Sequence, residues 1–324
     1  MADAPVADDR FAAPVSGGAE SRLTVIVAFG ANLLIAVAKT GAAVITGSAS
    51  LVAEAAHSWA DTGNEVFLLI AQRRSVRPAD TQHPAGHGRE AYVWSLFAAV
   101  GLFAVGAAVS VTHGISELVS PEPAQNFVVA YVVLGIAFVL EGISFARSTR
   151  QARTEAARVD RDLFEHVLVT SDPTLRAVFA EDAAALVGLV IAFAGVALHE
   201  LTGSPVPDAI GSILVGVLLG VVSVLLIDRN RRFIVGEAVD PRLRAAALAR
   251  LLAEEQVAAV TYLQMEFTGP RQVSVLARVD LLADHPESQV AATLAELERR
   301  IEALPVVSRA ILAPAHPGSA PLAP

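Results

Sequence analysis

Glu54, His57, Asp61 and Glu65 follow one another at spacings of three, four and four inside the apolar stretch Leu51 to Ala71. At 100° per residue they fall on one stripe of a helix, with His57 and Asp61 as i, i+4 neighbours. A carboxylate at the centre of a membrane helix costs about 2.5 to 3.5 kcal/mol on insertion scales, so three on one helix require pairing, protons or a cation. A second apolar stretch, Leu175 to Leu198, adds Glu181 and Asp182. Imidazole and carboxylate together are the donors that a borderline ion such as zinc accepts. His57, Asp61 and Asp182 would supply three of them, and Glu181, Glu141 or water the fourth. The competing reading is a set of interhelical polar pairs, with Lys39 as a counter-charge. Asn32 and Asn64 suit that packing role better than ligation.

A second constellation lies between two apolar stretches, in Asp80-Thr81-Gln82-His83-Pro84-Ala85-Gly86-His87-Gly88. Its spacing is Asp-x-x-His-x-x-x-His, and a compact Gly/Pro turn can bring Asp80, His83 and His87 onto one cation. A solvated pair of surface histidines is the alternative. His113, His166, His199, His285 and His316 have no partners at ligand spacing and are assigned nothing.

The elements that carry these groups are read from apolar length. The chain has 324 residues, 54% hydrophobic and 18% charged, and a mean hydropathy of +0.53, too apolar for an ordinary soluble protein. Six stretches approach the roughly 20 residues that cross a bilayer: Leu23 to Ile45, Leu51 to Ala71, Tyr92 to Ile115, Phe127 to Phe145, Leu175 to Leu198 and Asp208 to Ile227. Arginines gather in alternate connections, at Arg73, Arg74, Arg77 and Arg89, at Arg147 to Arg161, and at Arg229 to Arg232. The positive-inside rule therefore expects six spans with both termini cytoplasmic. An Ala-rich chain that uses Arg almost to the exclusion of Lys suggests a high-GC bacterial source, and so an inner membrane.

The expected organisation is a disordered tail over 1–20, a six-helix transport domain over 21–228, a cytoplasmic α+β domain over 229–313 and a disordered Pro-rich tail over 314–324. The soluble part reads as helix Leu243 to Glu255, strand Thr261 to Phe267, a Gly-Pro turn, strand Val273 to Leu281, helix Gln289 to Leu304 and strand Val307 to Leu312. This αββαβ order suggests a ferredoxin-like unit. Its Asp280, Asp284 and His285 make no convincing metal cluster.

Several classes are excluded by what the sequence lacks. With no cysteine, disulfides and thiolate zinc sites are out, and any metal rests on His and carboxylates. A net charge of -9 leaves no basic footprint for nucleic acid. No Walker A, His-Glu-x-x-His or Gly-x-Ser-x-Gly motif is present, so neither an ATP-driven pump nor a hydrolase is expected, and no organic cofactor. Protons compete with metal for His and carboxylate lone pairs, so alternating exposure of one such site exchanges a cation for protons. Glu54, Glu65 and Glu141 are candidates for proton relay. A cation channel or a membrane-anchored metal sensor would use the same residues.

The stretch Gly47-Ser48-Ala49-Ser50-Leu51-Val52-Ala53-Glu54-Ala55-Ala56-His57-Ser58-Trp59-Ala60-Asp61 resembles the span-two signature of the cation diffusion facilitator family. Arg77-Pro78-Ala79-Asp80 and His83-Pro84-Ala85-Gly86-His87-Gly88-Arg89-Glu90 resemble its loop motif. The resemblance implies a homodimer that exports zinc or a similar ion against protons through His57, Asp61 and Asp182. It also implies a second ion at Asp80, His83 and His87. Val178 stands four residues before Asp182, where many members carry a ligand, so the chain is similar to a subgroup lacking the span-five histidine. Manganese, iron and cobalt are the other ions this implies.

Overall fold

In the computed structural model the described residues are 20–121, 126–282 and 286–323. They form two compact units, one built from 74–90 and the chain from Arg232 onward, the other from the helices on either side of 74–90. The elements are α1 (Glu20–Thr46), α2 (Ala49–Ser75), α3 (Glu90–Gly101), a π-helical segment (Leu102–Ala107), α4 (Ala108–Val119), α5 (Phe127–Arg158), α6 (Leu163–Val169), α7 (Pro173–Thr202) and α8 (Val206–Val235). Then come α9 (Pro241–Leu252), β1 (Val257–Gly269), β2 (Gln272–Leu281), α10 (Glu287–Glu302) and β3 (Val307–Pro314).

Among the described residues four helical runs are long and apolar enough to cross a bilayer: Glu90–Val119, Phe127–Arg158, Pro173–Thr202 and Val206–Val235. Within α1 the described residues hold a shorter apolar run, Asn32–Thr46. At 27 residues α2 has the length, but its stripe of acidic residues takes away the hydropathy. Lipid-type exposure is plain on α5, where Val132, Ile136, Val139 and Ile143 form an exposed i, i+4, i+7, i+11 stripe.

Close helix approach is bought with small residues. A Cβ at Gly114 would lie 2.8 Å from the Ala209 carbonyl oxygen, and one at Gly216 would lie 2.9 Å from that of Ala107, so α4 and α8 meet backbone to backbone. Two apolar clusters flank α2. One joins it to α1, α5 and α7 through Leu51, Ala43, Leu134 and Leu189. The other joins it to α7 and α8 through Ala53, Ala60, Ala184, Val215 and Leu219. The acidic stripe is thereby held in the interior.

The start of α2 is fixed from outside the helix. Gly47, at φ +67°, ends α1 in the left-handed region that a glycine tolerates. The Ser48 hydroxyl accepts from Leu51 N at 3.2 Å. Buried Asp208, in the first turn of α8, accepts from Ala49 N at 2.8 Å, Ser50 N at 3.3 Å and the Ser48 hydroxyl at 3.1 Å. Orphan amides of a helix N-terminus are thus satisfied by a carboxylate. α7 is capped within its own sequence, by Asp172 accepting from Thr174 N and Leu175 N ahead of Pro173.

In the other unit β1 and β2 pair antiparallel, and β2 and β3 pair parallel across the α10 crossover, in the order β1-β2-β3. Along β2, Val273, Val275, Ala277 and Val279 are buried, while Leu276, Arg278 and Asp280 alternate outward. The buried face packs on Leu248 and Leu251 of α9 and on Leu294, Leu297 and Ile301 of α10. Where the sequence suggests a disordered tail, residues 315–323 return along the domain. Ala315 N donates to Val279 O and Leu322 N to Val260 O, with Leu322 seated on the core. Asp284, His285 and the first tail lie outside the described residues.

The segment 74–90 belongs to this unit as well. Arg89 donates to Glu266 Oε1 at 2.9 Å, and Gly88 comes so close to β1 that a Cβ there would be 2.5 Å from the Thr268 carbonyl oxygen. Only glycine allows that approach.

Candidate functional site

Within the helical unit, His57 is buried with both ring nitrogens lacking a hydrogen-bond partner among the described residues. Its Nδ1 is 3.5 Å from Asp61 Oδ1, which is equally unpartnered. Glu54 Oε1, Ser58 Oγ, Glu65 Oε2 and Glu181 Oε1 are in the same condition. Buried polar atoms are almost always satisfied, so these seven orphaned donor and acceptor atoms on α2 and α7 call for an ion, water or proton that completes them.

Several of the companion carboxylate oxygens are engaged. Lys39 Nζ donates to Glu54 Oε2 at 2.9 Å, Asn32 to Glu65 at 2.7 Å, and Asn64 to Glu181. Asp182 accepts from Ser144 at 3.1 Å and from Ser148 at 3.0 Å, both on α5. Asp61 lies in the electrostatic field of Glu181, Glu141, Lys39 and Asp182. The structure therefore gathers the expected residues into one region without closing them on a point. His57 and Asp61 face each other, while Asp182 is turned to α5.

Ser144 and Ser148 were not singled out by sequence, although Glu141, Ser144 and Ser148 stand at i, i+3, i+7, one face of α5. Two unassigned histidines also have neighbours: His199 meets Phe127 edge-on, and His166 lies 3.7 Å from Glu155.

The loop constellation is closed. Asp80, His83 and His87 offer ligand atoms all within 4.8 Å of one another, the only such group among the described residues. Asp80 Oδ1 accepts from the Gln82 and His83 amides at 2.8 and 2.7 Å, an Asx-type turn. Gly86, at φ +78°, returns the chain so that the two imidazoles stand 4.0 Å apart. His87 is bracketed, with Nε2 3.0 Å from Asp80 Oδ2 and Nδ1 2.9 Å from Glu90 Oε1. Glu90, which closes the loop motif but is given no ligand role by the sequence, stands three residues after His87 at the start of α3.

These contacts set the charge of the loop. The hydrogen bond to Asp80, then that to Glu90, holds the His87 imidazole above the usual histidine range. The same bond from His87, with the turn amides, holds the Asp80 carboxyl well below its usual range. His87 thus steadies the folded loop below about pH 6.5, and that contribution fades as pH rises through its raised value. Asp80 contributes above about pH 4, and loses its contribution as pH falls toward its depressed value. In a metal-free NMR titration the His87 ring signals are expected to move at a pH above the ordinary histidine range, and Asp80→Asn to bring them down. An unmoved His87 midpoint in Asp80→Asn would contradict the geometry.

Comparison with known proteins adds a further finding. Residues 25–234 match the model of the cation efflux transmembrane domain. The chain is 35% identical over 260 residues to Metal tolerance protein C4 of Arabidopsis thaliana, covering 80% of this chain and 57% of that protein. It is 34% identical over 257 residues to the human "Proton-coupled zinc antiporter SLC30A9, mitochondrial", covering 79% and 45%. To the Cation-efflux pump FieF of Klebsiella pneumoniae it is 36% identical over 119 residues, 36% of this chain and 39% of that one. The chain spans about half the length of the first two. Plant and mitochondrial relatives give no support to the inner-membrane expectation.

Proposed function

The chain belongs to the cation efflux family, and from that premise we propose that it carries a divalent metal cation, zinc first, across a membrane in exchange for protons. The observation that carries this reading is the set of unpartnered donors on α2 and α7, above all both nitrogens of buried His57. The relatives' names supply zinc and proton coupling as the first ion and counter-ion to test.

In this reading α1, α2, the run from α3 to α4, α5, α7 and α8 are six spans. They make up a transport domain over 21–228, with the termini on the arginine-rich side. The αββαβ unit is a ferredoxin-like cytoplasmic domain, and the protein works as a homodimer among membrane lipids. The ion enters from the cytoplasm and meets His57 and Asp61. Asp182 completes the shell once it leaves Ser144 and Ser148, and Glu181 is the candidate fourth ligand. Rocking of the bundle exposes the ion to the far side, where protons displace it. Glu54, Glu65 and Glu141 relay or balance charge. Asp80, His83 and His87 hold a second, non-transported ion. No enzymatic step or organic cofactor is involved.

Zinc-driven proton movement in proteoliposomes tests it, with manganese, iron and cobalt as competing ions. Saturable zinc uptake with coupled proton efflux is expected. Ion flux without proton exchange would replace the carrier by a channel, and metal binding without any flux would make the protein a sensor.

A further inference from the structure

Lys39 is the only lysine in the chain, and it is completely buried. It pairs with Glu54 at 2.9 Å, and neither side chain exposes any surface. Burying an ammonium and a carboxylate together is costly, and apolar residues of similar volume would join α1 to α2 at least as well. Glu54 stands three residues before His57 and seven before Asp61, on the same face of α2. It is a donor of the same chemistry as Asp61, about one turn away from His57. Yet only one of its oxygens is used, and Oε1 has no hydrogen-bond partner among the described residues. Gly188 on α7 keeps the space at that oxygen open, since a Cβ there would lie 2.7 Å from it. The acidic groups whose field reaches Lys39 are Glu54, Glu141 from α5 and Asp61. Through Glu54 the ammonium is joined to the face of α2 that carries His57 and Asp61.

We propose that Lys39 is a positioning residue that withholds Glu54 from the transported ion. It occupies the carboxylate that would otherwise join His57 and Asp61 as a third donor from α2, and so keeps the ion loosely enough held to leave. The proposal rests on the reading of His57 and Asp61 as ligands. Without Lys39 the Glu54 carboxylate turns to the ion, adding a donor and a negative charge. Without Glu54 the ammonium loses its counter-charge and repels a divalent cation. The two substitutions therefore push affinity in opposite directions. A purely structural pair would be harmed the same way by loss of either half.

The test is equilibrium Zn²⁺ binding to the detergent-solubilised full chain, with KM and Vmax of uptake in proteoliposomes. Every variant carries His83→Ala and His87→Ala so that the loop does not contribute. Lys39→Met is expected to bind Zn²⁺ about tenfold more tightly with a reduced Vmax, Glu54→Gln about tenfold more weakly, and the double variant within about threefold of the parent. Lys39→Met binding no tighter, or Glu54→Gln binding no weaker, overturns the proposal. If Lys39→Met is not recovered as monodisperse protein, Glu54→Gln against the double variant decides. His57→Ala keeps the two readings apart. If Zn²⁺ binding survives it, the intramembrane site itself is wrong. If it removes binding while the Lys39 and Glu54 variants match the parent, only this proposal falls.

Discussion

Alanine at His57 is expected to lower zinc-driven proton movement at least about a hundredfold, more than the loss seen when a group that merely supports a ligand is removed. The reason is local. His57 is 1% exposed, and its ring nitrogens have no hydrogen-bond partner among the described residues, so alanine there removes the one imidazole that the α2 stripe offers an ion. Asp182→Ala is the informative companion, because that carboxylate is shared with Ser144 and Ser148. Loss of exchange in both variants, measured as initial rates in proteoliposomes, places the ion between α2 and α7. Exchange that survives Asp182→Ala but not His57→Ala would pass the α7 contribution to Glu181. Full activity of His57→Ala would remove the site from α2 altogether.

Asp208→Ala is expected to destabilise the helical unit by about 3 kcal/mol or more. The substitution leaves the amides of Ala49 and Ser50 and the hydroxyl of Ser48 without their acceptor. Each is buried, and an unmet buried hydrogen bond costs about 1 to 3 kcal/mol. The helix dipole adds to the loss, since a negative charge is taken from a helix N-terminus. Asp208→Asn retains one acceptor oxygen and should fall between alanine and wild type. Thermal unfolding in detergent measures the order, and an unchanged midpoint for Asp208→Ala would show that α2 does not depend on this cap.

The α2 stripe was legible in the sequence because helical periodicity alone puts Glu54, His57, Asp61 and Glu65 on one face. The loop was legible because Gly and Pro restrict how Asp80, His83 and His87 can be joined. Alternation exposed the strands in the same way, and β1 and β2 bracket the expected ones. Hydropathy placed the end of the fourth stretch at Phe145, but α5 runs on to Arg158. Polar helix beyond the lipid has no apolar signal to read. The seven residues of α6 are too few to show a period. Periodicity also gives a helix face without giving the rotamer or the distance between helices. That is why the turning of Asp182 toward Ser144 and Ser148, and the engagement of Asn64 with Glu181, emerge only from packing. The returning segment 315–323 is held by two backbone hydrogen bonds and one leucine, a pattern that Pro-rich composition hides.

The pairing of Lys39 with Glu54 across the short Gly47-Ser48 turn bears on how the chain enters a membrane in the first place. Taken alone, α2 would bring three carboxylates into hydrocarbon at about 3 kcal/mol each, and its apolar residues offset little of that. Joined to α1, one of those charges is already neutralised by the ammonium, and Asn32 of α1 covers another at Glu65. The first two helices are therefore partners in biogenesis: they should leave the translocon together as a hairpin, and a ribosome-bound intermediate carrying α1 alone should keep Lys39 waiting at the water interface until α2 arrives.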